Sequence, residues 1–242
     1  MDRLIATIMT MVFATIGLPP SAAAKLTSRQ QAGQRVVYSY AGLTPPPELL
    51  QGIRDGEVAG VIFFKENITG IDQIHGVVDQ LNTANQQSPV KAPLLLMTDQ
   101  EGGLVRRLPG APVLSAKQVG QASNPIAAAE ESGTTAGENL RSAGMNVNLA
   151  PVLDVYRQPG DFLDQFQRSY SQDPATVKDL GRGFVTAQQR ITGVAATGKH
   201  FPGLGSAAAQ ENTDLGPVTL NVPLDTLRTV DEQPYTAGAK LV

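Results

Sequence analysis

The chain has 242 residues, of which 41% are hydrophobic and 17% are charged, and this composition is typical of a globular protein with a sizeable core. Its formal net charge of −3 gives no basic surface for nucleic acid, so we expect no nucleic-acid partner. Cysteine is absent and only two histidines are present, which excludes disulfides, thiol catalysis and a cysteine or polyhistidine metal site.

The first 24 residues have the pattern of a secretory signal peptide. Arg3 is followed by an apolar run, 4–18, and three alanines at 22–24 form a small-residue cleavage site before Lys25. The apolar run is shorter than the stretch of about 20 residues that a membrane-spanning helix needs. We therefore expect cleavage after Ala24 and a mature domain over 25–242 with no stable membrane anchor. The protein would then be secreted, periplasmic or associated with the cell wall.

Strand-like and helix-like segments alternate along the mature chain. The strand-like segments are short and rich in β-branched or apolar residues, and they cover 35–40, 58–64, 93–98, 145–149 and 194–197. The helix-like segments show helical periodicity or begin at proline, and they cover 45–54, 71–85, 125–143 and 174–189. A sixth strand is predicted to begin at Ala239.

The alternation predicts βαβ units and a parallel sheet. A doubly wound sheet would carry a glycine-rich phosphate loop after its first strand, and the segment that follows Gly42 is not one. A barrel would instead carry functional residues after several different strands, and Asp99, Asp154 and Lys199 follow the third, fourth and fifth strands. We therefore predict an α/β fold of the (β/α)8 TIM-barrel type. Five strands and the start of a sixth do not close such a barrel, so we expect an incomplete barrel and a fragment of a longer protein.

Two segments at the ends of predicted strands carry charged side chains. The segment 99–107 holds Asp99, Glu101, Arg106 and Arg107, whose groups could bind sugar hydroxyls or form a salt bridge on a surface loop. The segment 199–205 begins with Lys199 and His200 and continues into a turn with proline and glycine. A histidine in such a place can be a structural hydrogen-bonding group, but its position beside Lys199 at the end of a strand favours a functional role.

Four motifs together resemble the N-terminal barrel of glycoside hydrolase family 3. They are DQEGG at 99–103, APVLDV at 150–155, RSYSQDP at 168–174 and KHFPGLG at 199–205. Their order and approximate spacing are those of the family, and the resemblance extends from about Ser28 to Val242. Their form is most similar to the β-N-acetylglucosaminidase branch.

The resemblance implies a role for several residues of this chain. The side chains that would hold the terminal sugar are Asp99, Arg107, Arg168, Lys199 and His200. Asp154 would support the loop after the fourth strand, whereas His75 matches no motif and would lie on a helix surface. The family uses two carboxylates for catalysis, so no metal or organic cofactor is expected.

The loop after KHFPG departs from the family pattern. In the β-N-acetylglucosaminidase branch this loop supplies a histidine as general acid/base, but 206–214 contains none. Asp214 is our candidate for the role, and Glu211 or a residue from elsewhere are the alternatives. Asp214 could equally be part of an Asx-turn that follows Asn212.

The family's nucleophile is an aspartate at the end of a later strand, which would lie beyond position 242. A retaining glycosidase needs both carboxyl groups, so we expect this chain alone to be inactive. For the whole protein the resemblance implies hydrolysis of terminal β-linked N-acetylglucosamine from glycans or cell-wall fragments, with retention. The alternatives are a β-glucosidase of the same family and a sugar-binding pseudoenzyme.

Overall fold

The computed structural model describes residues 25–240, so the predicted signal peptide and residues 241–242 lie outside the described residues. The described part contains a parallel sheet of five strands in the order β1-β2-β3-β6-β7. These strands are β1 (Val37–Tyr38), β2 (Gly60–Ile62), β3 (Leu95–Thr98), β6 (Val147–Asn148) and β7 (Ala195–Ala196). The parallel sheet confirms the predicted α/β class and is consistent with part of a TIM-type barrel.

Successive parallel strands pair in chain order. Val61 of β2 is opposite Leu96, and Val147 of β6 is opposite both Met97 and Ala195. Beyond β3 the chain adds a short antiparallel pair, β4 (Gln100–Gly102) and β5 (Val105–Arg106). The ends of β3, β6 and β7 therefore lie side by side, which brings the segments after them to one edge of the sheet.

Helices connect the strands. They are α1 (Ser28–Gly33), α2 (Pro47–Arg54), α3 (Ile71–Gln86), α4 (Ala116–Gly120), α5 (Pro125–Ser142), α6 (Phe162–Gln165), α7 (Pro174–Ala187) and α8 (Leu224–Thr226). Two of the long helices begin where the sequence supplies a cap and a proline. Asn124 accepts a hydrogen bond from Ala127 N at the start of α5, and Asp173 accepts from Thr176 N at the start of α7. No helix in residues 25–240 is both long and apolar enough to cross a membrane.

The main hydrophobic core lies between the first strands of the sheet and the helices that cover them. Its members include Val61 and Leu96 on the strands and Ile74 and Leu81 on α3, and all four are buried. A second cluster, which includes Leu153 and Leu180, lies between α7 and the segment that follows β6. The burial of β2 and β3 under helices explains their continuous apolar sequence.

The prediction of a sixth strand beginning at Ala239 is wrong. A 3-10 helix over Gln233–Lys240 includes Ala239 and Lys240, and the remaining two residues of the predicted strand lie outside the described residues. This helix follows a π-helical turn over Leu227–Asp231. A short apolar run cannot be assigned to strand or helix by periodicity alone, and here local i to i+3 hydrogen bonds decide the conformation.

Candidate active site

Alternation of side chains along the segment after β3 separates its polar residues into two groups. Gln100 points into the protein, where its side chain accepts from Leu108 N at 3.0 Å and donates to Ala111 O at 2.7 Å. Asn148 of β6 holds the Gln100 backbone through a second pair of hydrogen bonds. Successive side chains in an extended chain point to opposite sides. Asp99 and Glu101 therefore both face the edge of the sheet at which β3, β6 and β7 end.

Glu101 joins the segments that follow three different strands. Arg168 makes two parallel hydrogen bonds to its carboxylate, at 2.9 Å from Nε and 2.8 Å from Nη2. Lys199 Nζ lies 2.7 Å from Glu101 Oε1 and donates to Asp99 Oδ1 at 2.5 Å. The Glu101 side chain is only 6% exposed, so these charge-assisted bonds satisfy a carboxylate that has been removed from water.

The same contacts set the ionisation of Glu101. Burial alone would raise its pKa, but the hydrogen bonds and charges of Arg168 and Lys199 outweigh burial and lower that pKa below the ordinary value. Burial would lower the pKa of Arg168, and its hydrogen bond to Glu101 raises that pKa instead. The pair is therefore ionised at neutral pH.

Asp154 fixes the orientation of His200. The Asp154 carboxylate is buried, and its Oδ2 lies 2.6 Å from His200 Nδ1 and accepts from His200 N at 3.1 Å. Its other oxygen accepts from Leu204 N at 2.6 Å. A carboxylate only accepts, so His200 Nδ1 is the donor in this contact, and the other ring nitrogen, Nε2, lies 3.4 Å from Arg168 Nη2.

Arg107 stands at the margin of this charged group. Its Nε is 3.9 Å from Asp99 Oδ2, and its backbone N donates to Asp99 O at 3.2 Å. The Nε atom is buried and has no hydrogen-bond partner among the described residues. Arg107 is thus held near Asp99 by its backbone and by the attraction between the two side chains.

Several of these side chains line a cavity of about 510 Å³, within the size range of small-molecule sites, whereas Glu101 and Asp154 are not part of its lining. Its lining contains a charged part, called the charged wall below, and also several apolar side chains. The lining residues are Phe64, Asp99, Val105, Arg107, Phe162, Phe166, Arg168, Lys199, His200, Leu204, Asn212, Thr213 and Asp214. The structure therefore brings together the five predicted sugar-binding residues and Asp214, the first candidate for the acid/base role.

The two acidic candidates in the loop after KHFPG differ in position. Asp214 lines the cavity and is exposed, and its backbone N donates to Asn212 Oδ1 at 2.8 Å in an Asx-turn. Glu211 instead accepts from Ala208 N at 2.7 Å and does not line the cavity. Among the described residues, Asp99 and Asp214 are the carboxylates on the cavity wall, and Asp99 is bound to Lys199.

Sequence reasoning missed the part played by Glu101. Residues 99 and 101 of an extended segment face the same side, and this alternation could have identified the second carboxylate as a partner of Asp99. His75, which matched no motif, lies exposed on α3, where its Nδ1 is 2.9 Å from Ser142 O. It is remote from the cavity lining.

Comparisons with known proteins find a family description and several relatives that are similar to this chain. The family description "Glycosyl hydrolase family 3 N terminal domain" matches residues 32–240. An uncharacterized secreted glycosyl hydrolase of Arthroderma benhamiae is 43% identical over 95% of this chain and 65% of its own length. Beta-hexosaminidase A of Pseudoalteromonas piscicida is 32% identical over 85% of this chain and 38% of its own length.

A solved structure gives a similar result. A glycoside hydrolase family 3 beta-N-acetylglucosaminidase from Paenibacillus sp. str. FPU-7 has a TM-score of 0.79 and 31% identity. The match covers 89% of this chain and 40% of that chain. In each of these three comparisons the chain spans less than two thirds of the relative's length.

Proposed function

The chain belongs to glycosyl hydrolase family 3, and from this premise we propose that the whole protein removes terminal β-linked N-acetylglucosamine from glycans or cell-wall fragments. The named activities of the Pseudoalteromonas and Paenibacillus relatives support this choice of sugar. The observation that carries the proposal is the charged wall of the cavity, where Asp99, Arg168, Lys199 and His200 converge.

In the proposed mechanism the charged wall binds the terminal sugar through its hydroxyl groups. A nucleophilic carboxylate attacks the anomeric carbon, and a general acid gives its proton to the departing glycosidic oxygen. Water then attacks the glycosyl-enzyme while the same acid/base residue takes the water's proton, so the configuration is retained. We assign the acid/base role to Asp214, because it is exposed on the cavity wall, and the nucleophile to residues beyond this chain.

The proposal makes a direct statement about the 242-residue chain. With Asp99 engaged by Lys199, the cavity offers one candidate carboxyl group where the retaining mechanism requires two about 5 Å apart. The purified chain should bind N-acetylglucosamine and show no turnover of a chromogenic aryl β-N-acetylglucosaminide. Clear turnover by this chain, retained after repurification, would contradict the assignment of the nucleophile.

A sugar-binding pseudoenzyme is the second candidate, and the absence of histidine from 206–214 favours it. It predicts that the full-length protein binds N-acetylglucosamine but does not hydrolyse β-N-acetylglucosaminides. Assaying the full-length protein with paired aryl β-glucoside and aryl β-N-acetylglucosaminide substrates separates the candidates. In this assay, preference for the aryl β-glucoside would identify a β-glucosidase. Separately, loss of activity in the Asp214→Asn variant would support the acid/base assignment.

We also propose that the protein is exported. The Arthroderma relative is described as secreted, and residues 1–24 have the composition of a signal peptide. Mass spectrometry of the protein from the producing organism should find a mature N-terminus at Lys25. A protein that retains residues 1–24 would contradict this proposal.

A further inference from the structure

Helix α4 and its N-cap residue, Ser115, lie between two segments that contribute residues to the cavity lining. The glycine pair at 102–103 passes so close that a Cβ added at Gly103 would be 2.6 Å from Ser115 Cβ. On the other side, Lys117 N donates to Gln167 O at 3.2 Å and Lys117 Nζ bonds Asp164 Oδ1 at 2.6 Å. The segment 114–120 therefore contacts both the DQEGG segment and the chain that leads to Arg168.

Gln167 occupies an unusual place in that second segment. Its φ is 57°, and it is the one non-glycine residue in the described part of the chain with a positive φ. Its two neighbours, Phe166 and Arg168, both line the cavity. Its own side chain turns the other way, where Oε1 accepts from the buried Ser115 hydroxyl at 3.0 Å. A left-handed residue at this point reverses the chain, so that both neighbours face the cavity.

The turn is fixed by several contacts at once. Gln167 N donates to Asp164 O at 2.9 Å, and Arg168 N donates to Leu163 O at 3.0 Å. Phe166 lies edge-on to the buried Phe162, with ring centroids 5.6 Å apart, and is itself 39% exposed. A left-handed conformation is unfavourable for a non-glycine residue and persists only where surrounding contacts enforce it.

We infer that Gln167 is a positioning residue for sugar binding, which together with Ser115 fixes the turn that sets Phe166 and Arg168 in the cavity. This inference rests on the proposed function, because it assigns Arg168 to the sugar. Arg168 is held at its guanidinium by Glu101 and at its backbone by the Gln167 turn, so a relaxed turn pulls the guanidinium out of its two-bond contact. Gln167 acts through its neighbours and does not itself line the cavity.

The test compares substitutions that differ in their tolerance of a positive φ. In the full-length protein, Gln167→Val should weaken N-acetylglucosamine binding about tenfold, because a β-branched residue disfavours this conformation and loses the Ser115 bond. Gln167→Gly should lose less than about threefold, since glycine adopts the conformation freely. Gln121→Val is the matched control, because Gln121 is exposed at the end of α4 with an ordinary φ of −97°. The affinity of this variant for N-acetylglucosamine should equal that of the wild-type protein. Isothermal titration calorimetry measures all three affinities.

A double-mutant cycle separates positioning from general stability. In an Arg168→Lys background, which removes the two-bond contact, Gln167→Val should cause a smaller further loss of affinity than it causes alone, because only the contribution through Phe166 remains. The inference is overturned if Gln167→Val lowers stability but leaves affinity and KM unchanged, or if its loss is equally large in both backgrounds.

A third measurement keeps the inference independent of the sugar. If the wild-type protein neither binds N-acetylglucosamine nor hydrolyses an aryl β-N-acetylglucosaminide, the proposed function fails and crystal structures decide the inference. The Gln167→Val structure should then show Phe166 displaced and the Arg168–Glu101 pair reduced to a single hydrogen bond. Unchanged positions of both side chains would overturn it.

Discussion

At the scale of single residues, Glu101 balances the charge of the cavity. Its carboxylate is shared by Arg168 and Lys199, and it lies behind the wall that Asp99 and Lys199 form. Because Glu101 is buried, its removal would leave two neighbouring cations without their common anion. A buried ion pair that loses one member costs more than the intact pair contributes.

We predict that Glu101→Gln lowers the free energy of unfolding by roughly 3–5 kcal/mol at pH 7. The pKa of Glu101 is lower in the folded state than its ordinary value of 4.5, so ionised Glu101 stabilises the protein above pH 4.5. This contribution is lost as pH falls through the folded-state pKa. The difference between wild type and Glu101→Gln should therefore shrink when urea unfolding is measured at pH 3 instead of pH 7.

The exposed Glu66 supplies the control for this prediction. Glu66→Gln should change the unfolding free energy by less than about 0.5 kcal/mol at both pH values. A loss for Glu101→Gln that is the same at pH 7 and pH 3 would show that the effect does not come from its ionisation.

At the scale of elements, α5 packs closely against α7. Gly133 of α5 sits directly on the backbone of α7, and a Cβ added there would overlap the Phe184 carbonyl oxygen. By contrast, the surface of α3 around Gly76 is open, with nothing within 4 Å of an added Cβ. A methyl group at residue 133 would therefore clash with α7, whereas a methyl group at residue 76 would meet no neighbouring atom.

We predict that Gly133→Ala destabilises the protein by about 1–3 kcal/mol, because α5 and α7 must separate to admit the methyl group. Gly76→Ala should stabilise it by about 0.5–1 kcal/mol, since alanine restricts the unfolded chain and favours the helix. Thermal and urea unfolding of the two variants measure both effects. If Gly133→Ala proved neutral, the close approach of the two helices would be contradicted.

The four longest α-helices, α2, α3, α5 and α7, were predicted with nearly their observed bounds, whereas the shorter α1, α4, α6 and α8 were not predicted. Asn124 with Pro125, and Asp173 with Pro174, mark where α5 and α7 begin, because capping is a local interaction. Strand positions were predicted, but the paired residues are fewer than the apolar runs suggested, since ladder hydrogen bonds depend on the neighbouring strand. The run beginning at Ala239 was assigned wrongly because it is too short to show a period.

The candidate site was predictable as a set of residues and not as a set of contacts. Asp99, Lys199 and His200 could be identified from their places after predicted strands. The pairing of Arg168 with Glu101 spans 67 residues and that of Lys199 with Asp99 spans 100 residues. Such contacts follow from the order of strands in the sheet, which local patterns do not encode, and the conformation of Gln167 depends on α4 in the same way.

At the scale of the whole molecule, the five parallel strands leave β1 at one margin of the described sheet. Val36, Val37 and Tyr38 are 40%, 38% and 42% exposed, and within residues 25–240 β1 pairs with β2 alone. An exposed apolar strand with unpaired backbone groups is a template for association with another chain.

We predict that the isolated 242-residue chain self-associates at micromolar concentrations through β1. Val37→Lys should reduce this association, because a charged side chain on an edge strand opposes pairing. Val113→Lys is the control, since Val113 is 68% exposed but lies outside the strands. Size-exclusion chromatography with light scattering measures the mass of each variant, and a monomeric wild-type chain would contradict the prediction.

The mutual engagement of Asp99, Glu101, Arg168 and Lys199 has a thermodynamic consequence. Long charged side chains lose much rotational freedom when they are fixed, and here folding fixes them before any ligand arrives. A molecule that enters the cavity meets groups whose conformational entropy has already been lost. The affinity of the cavity for a ligand therefore depends on how accurately folding positions these side chains, and little on the entropy lost by ordering them during binding.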